Sequence, residues 1–306
     1  MKTRSLLPTA LLLSGCILHH RPPAPEPPRG PARDSLFQFD LTRSDSIVRR
    51  GAVDGFLAVL APDVVFLRAG VPAVYGADAA RRLLTASGST VAATWEPLGG
   101  DVSRDRQSGY TFGVAARATA SGPVQLERYI AFWRRGAGAA WRIAAYAEIG
   151  APPAAEVTFS SAELTPPPPP AAKAVAGAAF NIREADSLFS DLADRMGTAN
   201  AFGAYVAPYG VIFGAPTLVV GPSAVRAYFT ARSAGTSLAW RPVFQGAAGS
   251  LDLGFTVGEY IATGRGASGA AVQRFGKYLT IWQRQPNGDW KFVVDGGNPT
   301  PAKSSQ

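Results

Sequence analysis

Three stretches near the C-terminus decide the fold: Ser250-Leu251-Asp252-Leu253-Gly254-Phe255-Thr256-Val257-Gly258-Glu259-Tyr260, Gly276-Lys277-Tyr278-Leu279-Thr280-Ile281-Trp282-Gln283-Arg284, and Asp289-Trp290-Lys291-Phe292. Aromatic and β-branched residues recur through them, and Asn287-Gly288 ahead of Trp290 is a strong signal for a tight hairpin. They predict a meander of four strands near Ala239 to Gln245, Leu253 to Thr263, Val272 to Arg284 and Trp290 to Asp295. Upstream, Ile182, Ala185, Phe189, Leu192 and Met196 are spaced to form one apolar stripe on a helix, which Gly197 ends. A short helix through Ala201 to Ala207, a strand at Val211 to Gly214 and a helix from Gly221-Pro222-Ser223 through Phe229 complete the unit. Helices first and a long meander after them predict an α+β domain with its helices on one face of an antiparallel sheet.

The unit occurs twice. Asp40, Ser44, Asp45, Gly51, Phe56 and Ala61-Pro62 return 146 residues later as Asp186, Ser190, Asp191, Gly197, Phe202 and Ala207-Pro208. Trp95-Glu96-Pro97 matches Trp240-Arg241-Pro242, and Arg128-Tyr129 with Trp133 and Trp141 matches Lys277-Tyr278 with Trp282 and Trp290. A two-copy period of this length means tandem globular domains and not a solenoid. Proline-rich stretches punctuate the chain, one from Arg21 to Arg33 and one through Pro166 to Pro170 with an Ala-rich tail. The expected division is a leader (1–15), a tether (16–34), a diverged first domain (35–150), a linker (151–179), a second domain (180–298) and a tail (299–306).

Composition excludes much. With 306 residues, 47% of them hydrophobic and 17% charged, the chain buries real cores, and outside its extreme N-terminus it has no apolar run long enough to span a membrane. One cysteine rules out a disulfide scaffold, and histidines only at His19 and His20 leave no imidazole for a triad or a zinc site in the body. The net charge of +8 is spread, at +3, +3, −1 and +3 over 1–34, 35–150, 151–179 and 180–306, so no basic face for nucleic acid is expected. Gly264-Arg265-Gly266 and Gly296-Gly297 read as hairpin and tail punctuation, since neither leads from a strand into a helix as a phosphate loop does. The six tryptophans read as core packing. No cofactor and no metal are expected.

At the other end, Met1-Lys2-Thr3-Arg4 and the apolar run from Ser5 to Leu13 form a secretory leader. Leu13-Ser14-Gly15-Cys16 resembles the bacterial lipobox, whose cysteine is lipidated and becomes the new N-terminus. Several acyl chains on Cys16 would anchor the protein stably, each buried methylene contributing ~0.8 kcal/mol. Ile17 stands where a retention aspartate would, which points to the outer membrane, facing the periplasm, with a polyproline tether holding the body off the surface.

The element order and the quoted strands resemble the SnoaL-like branch of the nuclear transport factor 2-like superfamily, and more narrowly the domain-of-unknown-function family numbered 4440. The resemblance implies two cones of curved sheet closed by helices, each with a pocket at its open end, paired with each other as a covalent pseudo-dimer. On function it leaves several classes open. The first is binding of a small, partly apolar ligand in the second pocket, with Trp240, Tyr260, Lys277, Trp282 and Tyr205 as contacts. The second is a ketosteroid-isomerase-like isomerase, dehydratase or cyclase using Asp295 or Glu259 as base and Tyr278 as hydrogen-bond donor. The third is a protein-interaction module. Strand alternation puts Asp295 on a face with Lys291 and Val293, and Glu259 with Phe255 and Val257. A carboxylate there is either an inward functional group or a partner for Lys277 or Arg274. The first copy has Gln107, Arg128 and Tyr146 where the second has Asp252, Lys277 and Asp295, and Arg43 where the second has Phe189. It reads as a scaffold, with Glu127, Glu148 and Tyr129 available to line a different pocket. An enzyme requires a carboxylate inside an apolar pocket with its pKa raised by desolvation, a binder requires charges paired at the rim, and an interaction module requires a filled cone.

Overall fold

The computed structural model describes residues 30–50, 52–86, 92–117, 125–150, 182–213, 218–232, 235–266 and 268–301. Cys16, the leader, the tether up to residue 29 and the linker lie outside them. Among the described residues each copy has three helices and six strands in the same order. The first comprises α1 (Gly30–Arg50), α2 (Ala52–Leu57), β1 (Leu60–Leu67), β2 (Val74–Tyr75), α3 (Ala77–Thr85), β3 (Ala92–Val102), β4 (Ser108–Arg117), β5 (Gln125–Arg134) and β6 (Arg142–Glu148). The second comprises α4 (Ile182–Met196), α5 (Thr198–Tyr205), β7 (Val206–Ile212), β8 (Val219–Val220), α6 (Gly221–Arg232), β9 (Ser237–Ala247), β10 (Leu253–Arg265), β11 (Ala271–Arg284) and β12 (Trp290–Thr300). α1 thus begins at Gly30, inside the stretch read as tether.

The sheets run β2-β1-β6-β5-β4-β3 and β8-β7-β12-β11-β10-β9, so the repeat read from the residues is a repeat of topology. The sheets are not wholly antiparallel: β1 pairs β6, and β7 pairs β12, in parallel. In each copy the strand that follows the first two helices lies beside the last strand of the meander, which produces one parallel pair among antiparallel neighbours. The apolar face of α4 is Ile182, Ala185, Phe189 and Ala193, a spacing of 3, 4 and 4, and Met196 in the last turn is 59% exposed instead of ending the stripe.

Two opposite faces of each sheet do different work. One packs under its own helices, giving a core around Phe56, Trp95, Tyr129 and Trp133 in the first domain and around Phe189, Phe202, Trp282 and Phe292 in the second. The other faces pack on each other: Val65, Tyr110, Phe112, Ile130 and Phe132 share one core with Val211, Phe255, Val257, Leu279 and Ile281. Period-two alternation explains the split, because along β11 Leu279 and Ile281 face the other domain while Tyr278 and Trp282 face the helices.

Polar contacts then fix how the two halves meet. The hairpin tips before β4 and before β10 each carry a non-glycine residue in the left-handed region, Arg106 (φ 59°) and Leu251 (φ 54°). These tips clasp each other, with the Arg104 backbone N–H donating to Asp252 Oδ2 (3.0 Å) and the Ser250 N–H donating to Asp105 Oδ2 (2.9 Å). Elsewhere Asn298 Nδ2 donates to the carbonyls of Leu67 and Glu148, and Gln283 Nε2 to Asp101 Oδ2.

Candidate functional site

A cavity of about 180 Å³ opens between the helices and sheet of the second domain, lined by Phe189, Phe202, Phe229, Leu238, Trp240, Tyr260, Tyr278, Thr280, Asp295 and Gly297. Helices α4, α5 and α6 supply the phenylalanines, and β9 to β12 supply the rest.

Asp295 reaches this face through a β-bulge. Simple alternation would place it with Lys291 and Val293, but the pairing of β11 with β12 shifts between Ile281 and Trp282, so Trp282 pairs Phe292 while Ile281 pairs Val294. Val293 and Val294 both pack into the inter-domain core, and the parity resumes with Asp295 on the helix side, opposite Thr280. The Thr280 hydroxyl donates to Asp295 Oδ1, the only hydrogen bond to this carboxylate among the described residues. Asp295 keeps part of its surface, and that part faces the cavity. Desolvation by the surrounding protein pushes its pKa up to about 7, the Thr280 bond opposes the rise, and the nearby Asp186 adds to it.

Asp186, on α4, is the second buried carboxylate. It accepts hydrogen bonds from Tyr278 Oη (2.9 Å), Trp240 Nε1 (2.9 Å) and the Thr256 hydroxyl, and burial raises its pKa against those three donors. Tyr278 is pushed well above the ordinary tyrosine range, by burial first and by Asp186 next. Tyr260 is raised by burial and then by the charge of Asp295, and its hydroxyl has no hydrogen-bond partner among the described residues.

Two glycines make this wall possible. A Cβ on Gly258 would lie 2.3 Å from the Tyr278 hydroxyl oxygen, and one on Gly276 would lie 2.1 Å from Tyr260 Cζ. Both tyrosine rings therefore pack directly against bare backbone.

Of the residues singled out in the sequence, Asp295, Tyr278, Trp240 and Tyr260 converge on the cavity. Trp282 lies fully buried beneath Phe189, and Tyr205 packs against Phe189 and Trp282 with the Lys291 ammonium over its ring. Glu259 and Lys277 are directly paired but sit on the other face of the sheet. Glu259 binds Arg241 (2.9 Å) near the surface, whereas Lys277, only 2% exposed, donates to Asn298 Oδ1 and, at 2.7 Å, to the carbonyl of Arg68 in the first domain. Burial lowers the Lys277 pKa to about 8, opposed by Glu148. Gly296 and Gly297 are not tail punctuation: β12 runs on to Thr300, and a Cβ on Gly296 would lie 3.0 Å from Ile149 of the first domain. Asp186 and Thr280 escaped the reading. The signal for Asp186 was a polar residue on the apolar face of α4, repeated as Asp40 in the first copy; that for Thr280 was its place two residues from Tyr278.

In the first domain the equivalent space is filled from within. Arg43, in the place of Phe189, buries its guanidinium 3.9 Å from the Trp95 ring centroid and near Tyr129 and Trp133, with Nε 2.9 Å from Asp40 Oδ1. Among the described residues its Nη1 and Nη2 are buried without a hydrogen-bond partner. Tyr129 donates to Asp40 Oδ2 (2.6 Å), and Tyr146, in the place of Asp295, accepts from Trp95 Nε1 (3.1 Å). Glu148 pairs bidentately with Arg68 at the inter-domain face and so does not join Tyr129 in a pocket. Among the described residues no group of three or more His, Cys, Asp or Glu could hold a metal ion, and no helix is long and apolar enough to cross a membrane.

The described residues thus form a tandem α+β protein, with an aromatic-walled acidic cavity in the second copy and the buried Arg43 side chain at the matching place in the first. No family model and no curated protein matches the chain. Solved structures do. It is similar to a ketosteroid isomerase-like protein from Erwinia carotovora atroseptica, with 16% identity, a TM-score of 0.34, and 39% of this chain and 93% of that one covered. It is also similar to a protein of the nuclear transport factor 2-like superfamily from Salmonella enterica serovar Typhimurium, with 16% identity, a TM-score of 0.33, and 40% and 91% covered. An NTF2-like protein with a cystatin-like fold from Novosphingobium aromaticivorans gives 20% identity, a TM-score of 0.31, and 40% and 81% covered.

Proposed function

We propose that the chain is a tandem SnoaL-like protein whose second domain is an acid–base site for a small, partly apolar molecule, with Asp295 as the group that exchanges a proton. The observation that carries this reading is a carboxylate with one oxygen uncommitted, facing a cavity walled by six aromatic side chains and holding no Lys or Arg among its lining residues. A general base works best with a pKa near the operating pH, and the desolvation of Asp295 supplies that. Among the described residues Asp295 forms no ion pair, whereas a passive binder would have its charges paired at the rim. Tyr260 is the hydroxyl free to bind a polar atom of the substrate. The first domain, its cone closed by Arg43, is a scaffold that covers the back of the catalytic sheet.

The test begins with native mass spectrometry of the mature protein from its own host, to find a small molecule released on unfolding. That compound is then incubated in D2O with the wild type and with Asp295→Asn. Wild type should exchange a carbon-bound hydrogen at least ~100-fold faster than the variant. Equal rates would remove Asp295 from the chemistry.

We also propose that Cys16 is lipidated and that the protein is held at the outer membrane, facing the periplasm. The lipobox-like Leu13-Ser14-Gly15-Cys16 and the proline-rich segment after it support this. Cells fed radiolabelled palmitate should label the wild type and not Cys16→Ser; a labelled variant would refute it.

A further inference from the structure

The acid–base reading leaves open the charge of the molecule that enters, and the commitments of the wall groups bear on that charge. The side chains lining the cavity carry four hydroxyl or indole donors, and three already serve acceptors inside the protein. Tyr278 Oη and Trp240 Nε1 are bound to Asp186, and the Thr280 hydroxyl to Asp295. Only Tyr260 Oη is uncommitted. An anionic or strongly electron-rich ligand needs several converging donors in a low-dielectric site, and this wall does not offer them. Its spare capacity is of the opposite kind, a carboxylate oxygen on Asp295 and the faces of aromatic rings, whose quadrupoles attract cations. No lining residue brings a positive charge to offset Asp295.

The first copy shows what the same walls accept. Trp95, Tyr129 and Asp40 are the counterparts of Trp240, Tyr278 and Asp186, and against them the chain lays its own organic cation, the Arg43 guanidinium. In the second copy Phe189 takes the place of Arg43 and packs on Trp240, leaving a cavity beside it with Asp295 at its sheet wall.

Resting on the reading of this cavity as a small-molecule site, we infer that its ligand is an organic cation, a compact apolar body carrying an ammonium or amidinium nitrogen that pairs with Asp295. The titratable groups facing Asp295 are Asp186 from α4, Tyr260 from β10 and Tyr278 from β11. The two tyrosines stay neutral across pH 5.5–8 because burial raises both. Asp186 is hydrogen-bonded three times, and its raised pKa makes any proton it takes up act in the same direction as one on Asp295.

The test compares three probes of similar size, benzylammonium, benzyl alcohol and benzoate, by calorimetry and tryptophan fluorescence on the intact chain at pH 5.5, 7 and 8. At pH 8 benzylammonium should bind at least about tenfold more tightly than benzyl alcohol, a difference of ~1.4 kcal/mol. The preference should fade at pH 5.5 as the carboxylate is protonated. Near pH 7 benzylammonium binding should release protons, seen as a binding heat that changes with the ionisation enthalpy of the buffer. Asp295→Asn should bind alcohol and ammonium alike, and the wild-type pH series carries the same information if that variant does not fold. Alcohol binding as tightly as ammonium at pH 8, or benzoate binding tightest, overturns the charge class and leaves the cavity as a ligand site. Binding of none of the three overturns the inference and the small-molecule reading together.

Discussion

The burial of Asp295 should be measurable as a pH-dependent stability even before any ligand is known. Its folded pKa is about 7, against about 3.9 in an unfolded chain. Between those values the folded state holds more protons than the unfolded one, so stability falls as pH rises from about 4 to about 7 and levels off above. The full gap corresponds to ~4 kcal/mol. The share expressed between pH 5 and pH 8 is ~2 kcal/mol once cavity water is allowed for. Asp105, which its hydrogen bonds lower, acts in the opposite sense but below this window. Lys277 also acts oppositely: a buried ammonium lowered to about 8 makes stability rise with pH between about 8 and about 10.4. The combined contribution of Asp295 and Lys277 to stability should therefore be smallest near pH 7–8. Asp186 has the same sign as Asp295 and remains in any Asp295 variant, so the difference between proteins is the quantity to read. Urea unfolding at pH 5, 6, 7 and 8 should show wild type losing ~2 kcal/mol more than Asp295→Asn across the series. Asparagine keeps an oxygen for Thr280 and carries no charge, so its curve should be the flatter. Parallel curves would show that Asp295 is solvated, and the desolvation argument would fall.

Arg43→Ala should destabilise the protein by about 3–5 kcal/mol, because Asp40 keeps its burial and loses its counter-charge, whereas Asp40→Asn with Arg43→Phe should recover most of that loss; thermal melts decide, and a near-neutral Arg43→Ala would mean that Asp40 is solvated. At the other face, Asp105→Ala with Asp252→Ala removes the acceptors of the Ser250 and Arg104 backbone N–H groups. The two domains should then unfold in separate urea transitions, and a single unchanged transition would show that the shared apolar core alone couples them.

The topology was legible because it rests on local signals that occur twice. Period-two strands, the Asn287-Gly288 turn and the apolar positions of α4 each specify one element, and the match between copies specifies their order. The site was only partly legible, for a physical reason. Which side of a strand a residue faces depends on parity, and the bulge near Trp282 and Phe292 changes the parity of β12 before Asp295. From the residues alone Asp295 belongs with Lys291 and Val293; in the fold it belongs with Thr280. Lys277 is a pocket candidate from the residues alone, yet it alternates with Tyr278 along β11 and points to the opposite face, and its ammonium is spent holding the first domain. The reach of β12 to Thr300 was hidden by Gly296 and Gly297, which look like chain punctuation. They are glycines because the first domain and the Tyr260 and Tyr278 side chains press on that strand.

The separation of faces explains how one gene-encoded pair can hold two different cones. The contacts named above that join the domains, from the core around Phe132 and Phe255 to those of Lys277, Asn298 and Asp252, lie on the faces turned away from the helices or on the hairpin tips. The differences that set the two cones apart lie on the helix-facing side: Arg43 against Phe189, Tyr146 against Asp295, Ala115 against Tyr260. Substitutions on one face of a two-residue alternation do not disturb packing on the other. The first copy could therefore close its cone around an arginine while continuing to cover the sheet of the second. Fusion of the copies removes the requirement that each cone be the same, which a symmetric pair of identical chains would impose. On the proposed function the first cone is the scaffold and the second holds the site, and the Arg43 of the first shows the kind of charge that this wall of tryptophan, tyrosine and aspartate accommodates.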